Sequence, residues 1–208
     1  MCGRFSITAS EQEIREYVQR YFNLDFHLDF KPQYNIYPGQ NVLSIIFDGT
    51  NYRIGYLKWG FVPDFSTNKF QIINARAETI DNKKAFKNAF LKRRCLILAD
   101  GFYEWKQIDK KKVPFRFIIN NKIFPFAGVY NVKTLDDGTK EATCAIITTQ
   151  ANEVVNKVHD RMPVILSENV MKTYLDSNTN IEKLKSLLIP YSNDIEFYDA
   201  TSIINKKL

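Results

Sequence analysis

The chain begins Met1-Cys2-Gly3-Arg4-Phe5, and the cysteine at position 2 is the strongest chemical signal in its 208 residues. While Met1 is attached, the Cys2 nitrogen is an amide whose lone pair is delocalised into the carbonyl, and it is no nucleophile. Removal of Met1 leaves an α-amine and a thiol two carbons apart. With ordinary pKa values of about 8 for the amine and about 8.5 for the thiol, both nucleophiles exist in useful fractions near neutral pH. A 1,2-aminothiol captures an aldehyde in two stages: the amine condenses to an imine, and the thiol then closes a five-membered thiazolidine on the same carbon. A small residue after the initiator also has a plain explanation, so Cys2 has to be weighed with the rest of the chain.

Three further segments crowd polar functional groups together: Asn74-Ala75-Arg76-Ala77-Glu78-Thr79, Asp100-Gly101-Phe102-Tyr103-Glu104-Trp105 and His159-Asp160-Arg161-Met162-Pro163. Strand ends and turns are where sites tend to lie. Singly, each has a structural explanation: Asn74 as a turn cap, Glu104 as the partner of a surface lysine, His159 as a satisfied core imidazole. Cys95 and Cys144 sit in apolar runs, Arg-Cys-Leu-Ile-Leu and Thr-Cys-Ala-Ile-Ile, and read as small buried hydrophobes. Three scattered cysteines make no disulfide framework, and with His27 and His159 they lack metal-ligand spacing, so neither metal nor cofactor is expected.

The elements that must position these residues are mostly strands. Asp48-Gly49 between Val42–Phe47 and Tyr52–Trp59 is a strong hairpin signal. Further strands are expected at Arg94–Ala99, Tyr103–Ile108, Val113–Ile119, Ile123–Tyr130 and Ala142–Thr149, with a last one near Ile195–Tyr198 and turns at Asn120-Asn121 and Asp136-Asp137-Gly138. Ser10 to Glu13 form a capping box that starts a helix with Ile14, Tyr17, Val18, Tyr21 and Phe22 on one face. Other helices are expected over Lys83–Leu91, Asn152–Val158, Glu168–Leu175 and Ile181–Leu188. Lys83, Lys84 and Lys87 lie on the polar face of the first of these and continue into Lys92, Arg93 and Arg94, as either a phosphate-facing patch or a solvated face. Strands without regular βαβ alternation give an α+β fold, a single domain over residues 1–208 with a central, mainly antiparallel sheet or open β-barrel flanked by helices.

Composition bounds the function. An apolar content of 45% and a charged content of 25% are those of a soluble globular chain. No apolar run approaches the ~20 residues that span a bilayer, and the N-terminus lacks a secretory segment, so the cytosol or nucleoid is the expected location. A net charge of +6 favours an anionic partner.

Taken together, these motifs resemble the SOS-response-associated peptidase (SRAP) family, which contains abasic-site DNA–protein crosslinkers. The resemblance also runs through Tyr34-Asn35-Ile36-Tyr37-Pro38-Gly39-Gln40, Trp59-Gly60-Phe61-Val62-Pro63, Arg93 to Trp105, Pro125-Phe126-Ala127-Gly128 and Cys144 to Leu166. It implies that Cys2, as the exposed N-terminus, joins covalently to an abasic site in single-stranded DNA. Glu104 then matches the acid/base group that opens the sugar hemiacetal. His159 matches the residue that stabilises or protonates the released sugar oxygen. Asn74 matches the amide that holds the Cys2 amine and the sugar.

Arg4, Arg76 and Arg161 are expected as phosphate clamps, with a structural ion pair as the alternative. Thr149 is expected to add a backbone contact, and Phe65 to wedge or stack beside the lesion, while Trp59 and Phe61 belong to the core. Expected partners are abasic single-stranded DNA and replication-associated proteins, with no membrane and a monomeric protein. The sequence departs from the family in having Leu98 for proline, Tyr37-Pro38-Gly39 for Ala-Pro-Thr, and Phe65 for tryptophan. Two other functions stay open: an N-terminal-nucleophile thiol peptidase, with only Met1 to be removed before Cys2, and a non-covalent single-strand binder.

Overall fold

The computed structural model describes residues 2–66, 71–120 and 122–204; Met1 and the Asn121 half of the expected turn lie outside them. In chain order the elements are β1 (Arg4–Ile7), α1 (Glu11–Phe22), β2 (Gln33–Ile36), β3 (Asn41–Phe47), β4 (Tyr52–Trp59), β5 (Asn74–Arg76), α2 (Lys87–Lys92), β6 (Arg94–Ala99), β7 (Gly101–Ile108), β8 (Lys111–Ile118), β9 (Phe124–Thr134), β10 (Lys140–Gln150), β11 (Arg161–Pro163), α3 (Met171–Leu175), α4 (Ile181–Ser186) and β12 (Glu196–Asp199).

β10, β4, β3, β6 and β9 pair in that order, and β9 pairs back to β10, which closes a five-stranded barrel. The α+β fold with mainly antiparallel sheet is as expected, and the barrel is closed rather than open, which removes the edges that an open sheet would expose. The barrel strands are buried on near-continuous runs; all six residues of β6 and Thr143–Thr149 of β10 are out of water. Cys95 and Cys144 are buried among them, as are Trp59 and Phe61. A second, antiparallel sheet runs β12-β8-β7-β1-β2.

The first half of β10 closes the barrel, and its second half outruns it. There it takes β5 in parallel (Ile146 beside Asn74, Thr148 beside Arg76) and β11 antiparallel (Thr149 beside Met162, Gln150 beside Arg161). The two sheets meet at Phe5, whose ring lies 5.3 Å from Trp59 and 5.5 Å from Phe126. Such aromatic pairs contribute about 0.5–1.5 kcal/mol each beyond simple burial. Phe5 thus pins β1 to the barrel three residues after Cys2.

The capping box forms as the sequence predicts. The Glu13 amide donates to the Ser10 hydroxyl, and the Ser10 amide donates back to the Glu13 carboxylate. Ile14, Tyr17, Val18 and Phe22 are the buried face of α1. The helix expected over Asn152–Val158 is instead a single 3₁₀ turn, Val155–Lys157. The Asn152 side chain does accept from the Val155 amide as a helix cap would. The Ala151 amide, however, donates to the Asp160 carbonyl, and this closure leaves no room for a longer helix. α2 starts at Lys87, preceded by turns rather than by helix from Lys83.

Candidate active site

Cys2 sits just ahead of β1 and is fully buried. β1 pairs with β7 with Arg4 opposite Tyr103, which brings Glu104 alongside the segment that carries Cys2. From the other sheet, the Asn74 side-chain amide donates to the Cys2 carbonyl at 3.0 Å. His159, delivered by the 3₁₀ turn and its closure, places Nε2 3.8 Å from the Glu104 carboxylate. Four segments distant in sequence therefore converge on one point between the two sheets.

The electrostatics of this point follow from burial. Glu104 is nearly out of water, and desolvation, with the Asp160 carboxylate adding to it, pushes its pKa up to about 7. A carboxyl near that value exchanges protons in both directions at neutral pH. The Cys2 thiol is pushed well above its ordinary value by burial and by the Glu104 carboxylate. This corrects the expectation that a standing thiolate fraction exists near pH 7. Burial thus favours the neutral thiol, and a nucleophilic role for it would require a base to take its proton.

His159 is held below its usual value, chiefly by burial, so it is neutral near pH 7. Its Nδ1 accepts from the Arg161 amide at 3.0 Å, which leaves the proton on Nε2, the nitrogen facing Glu104. Asp160 Oδ1 also lies 3.0 Å from Nδ1 and stands ready as the partner of the imidazolium.

The three arginines differ. The Arg4 guanidinium donates to Asn35 Oδ1 at 2.7 Å and lies 5.0 Å over the Tyr37 ring. Arg76 is exposed at the end of β5. Arg161 holds Glu78 bidentately, at 2.6 and 3.0 Å, and also donates to the Thr148 carbonyl, the ion pair that stood as the alternative to a clamp. The structural ion pair is the arrangement this side chain adopts, because β11 and the 3₁₀ turn Ala77–Thr79 lie on either side of β10.

Thr149 is buried in β10 opposite Met162. Phe65 is 56% exposed, with Lys84 Nζ 5.0 Å from its ring. Its loop is tied down where Arg93 and Asn88 donate to Asp64. Lys83 and Lys87, like Lys84, are exposed. Asn35, Glu78 and Asp160 were not singled out by sequence; each lies inside a motif quoted for its neighbour, and that adjacency was the available signal.

The chain matches the family described as SOS response associated peptidase (SRAP) over residues 1–207, and it belongs to that family. It is 42% identical over 215 residues to YoqW of Bacillus subtilis, named an abasic site processing protein, with 99% of this chain and 94% of that one covered. YedK of Escherichia coli, named likewise, is 29% identical over 178 residues, covering 84% and 79%. A crystal structure of a protein from Bacteroides thetaiotaomicron superposes with a TM-score of 0.84 over 100% of both chains. At 22% identity that likeness speaks for the fold alone.

Proposed function

We propose that this protein processes abasic sites in single-stranded DNA by capturing them covalently through Cys2, once Met1 has been removed. The observation that carries the reading is the convergence of Cys2, Asn74, Glu104 and His159 on one point, in a chain whose relatives are named for abasic sites. The Cys2 amine adds to the ring-opened aldehyde of the abasic sugar, and the carbinolamine loses one water to give an imine. The thiol then adds across the C=N bond. Sulfur bonds to carbon, and the thiol proton passes to nitrogen by way of Glu104. The product is a thiazolidine, and one water is released overall.

Glu104 in its acid form protonates leaving oxygen, and in its carboxylate form it receives the thiol proton. His159 Nε2–H stabilises the sugar alkoxide released on ring opening. Asn74 orients the Cys2 backbone, and a neutral amide does so without competing for protons. Arg4 and Arg76 contact phosphates, Phe65 packs beside the lesion, and Arg161 supports the site through Glu78. A peptidase mechanism would draw on the same buried thiol with the same base, and the names of the relatives point to abasic sites rather than to peptide substrates.

The test is denaturing electrophoresis after mixing Met1-free protein, verified by intact mass, with an oligonucleotide carrying one abasic site. An SDS-resistant shifted band that Cys2→Ser abolishes is the expected result. Met1-free protein that gives no such band overturns covalent capture.

A further inference from the structure

Tyr37 is a large aromatic side chain that the core does not use: it stands 45% exposed at the end of β2. Its backbone is nevertheless closely held. Tyr37 to Gln40 form a tight turn, with Pro38 in the second position and Gly39 at φ 93 in the third, and the Gln40 amide donates back to the Tyr37 carbonyl. The Gln40 side chain accepts from the Tyr37 amide at 2.9 Å. The turn is also laced to β4, since the Gly39 amide donates to the Trp59 carbonyl and the Trp59 amide donates to that of Gln40.

One side of the Tyr37 ring is covered by the Arg4 guanidinium, 5.0 Å from its centroid, and Arg4 is itself fixed by Asn35. Arg4 is two residues from Cys2. A closely held, part-exposed aromatic ring therefore lies against the side chain of Arg4, which is two residues along the chain from Cys2. The bland explanation is a cation–π brace that only steadies Arg4, worth about 0.5–1 kcal/mol at an exposed position. A brace does not need the rest of the ring open, or a turn locked at four hydrogen bonds.

We infer that Tyr37 is a stacking platform for the nucleobase next to the captured sugar. This inference rests on the reading of the ligand as single-stranded DNA. Arg4, which touches the ring and is two residues from Cys2, contacts the intervening phosphate. Base–aromatic stacking tolerates any sequence, because every base has a π-face.

The experiment compares oligonucleotides in which the nucleotide on one or the other side of the abasic site keeps its base or is replaced by a baseless spacer. Crosslinking rate at limiting DNA and non-covalent affinity, by anisotropy with Cys2→Ser protein, are read together. On one side only, removing the base should cost wild-type protein about tenfold in affinity, with a parallel loss of rate. Tyr37→Ala should lose that dependence, while Tyr37→Phe, which keeps the ring, should retain it. If Tyr37→Ala weakens binding equally with base and spacer, the residue is only a brace and the platform is overturned. The same follows if the variant binds and discriminates like wild type. Wild-type protein that discriminates in affinity but forms no crosslink overturns the covalent chemistry and leaves the platform standing.

Discussion

On the five-stranded sheet, the segment that carries Cys2 is seated by polar groups that are themselves out of water. On the barrel, the segments that carry Asn74 and His159 lie against a strand with an apolar core, joined to it by main-chain pairing and by the part-exposed Arg161–Glu78 pair. Asp100 is the hub of the first arrangement. One carboxylate oxygen accepts from the Ser6 hydroxyl and Arg116, and the other from the amides of Thr8 and Ala9 and the Thr8 hydroxyl. Arg116 is held in turn by Ser6 and by the Tyr198 hydroxyl. On the barrel side, Asn74 and Arg161 flank a strand whose Cys144, Ala145, Ile146 and Ile147 are fully buried. Hydrogen bonds to a desolvated carboxylate are directional and costly to break, so they fix the depth and register of β1. Apolar contact is non-directional and tolerates small changes of shape. Cys2 is therefore held by the less forgiving of the two arrangements.

The contrast is broken most directly at Asp100. Asp100→Ala leaves Arg116 buried without its carboxylate and should cost about 3–5 kcal/mol in urea unfolding. The fraction that stays folded should also crosslink slowly, because β1 loses its register. Ile147→Val, at a buried position on the barrel side, should cost only about 0.5–1.5 kcal/mol and leave crosslinking rate unchanged. Equal losses of rate in the two variants would erase the distinction.

Glu104→Gln sharpens the comparison at the point where the halves meet. The crosslinking rate should fall about 10²- to 10⁴-fold, and its dependence on pH around 7 should flatten. Stability should move the other way. Glu104 holds its proton more tightly folded (about 7) than unfolded (4.5). Folding stability therefore falls as pH rises through that window and stays lowered above it. The glutamine variant should lack this slope and be more stable than wild type at pH 8, by up to about 3 kcal/mol. A variant that kept the slope would move the titration to another group.

The smallest effect is expected at Glu78, whose side chain is 44% exposed. Glu78→Gln should cost less than about 1 kcal/mol. It frees the Arg161 guanidinium, so the salt dependence of DNA binding should steepen by about one unit of log–log slope. An unchanged slope would mean that Arg161 does not reach phosphate even when released.

The long strands were legible because period and apolar content agree over many residues; Tyr52–Trp59 and Arg94–Ala99 form over the expected spans. β1, β2, β5 and β11 were not. They are three or four residues each (Arg-Phe-Ser-Ile, Gln-Tyr-Asn-Ile, Asn-Ala-Arg, Arg-Met-Pro), too short for a period, and exist because longer strands lie beside them. Those short strands and their ends supply much of the site. Cys2 stood out by its place behind the initiator, and Asn74, Glu104 and His159 as residue types in dense polar motifs. The burial that raises both Cys2 and Glu104 was not, because it depends on how the two sheets meet. The partner of Arg161 was equally hidden, since Glu78 lies 83 positions away in sequence.

Strand β12 pairs with β8 at the far edge of the sheet that holds β1, and Tyr198 there steadies the arginine on which the Asp100 hub depends. A ribosome makes Tyr198 nearly two hundred residues after Cys2. Until then Arg116 lacks one of the partners that hold it against Asp100. The segment that carries Cys2 is therefore seated in full only once a strand far downstream has been made, however early that segment itself is synthesised.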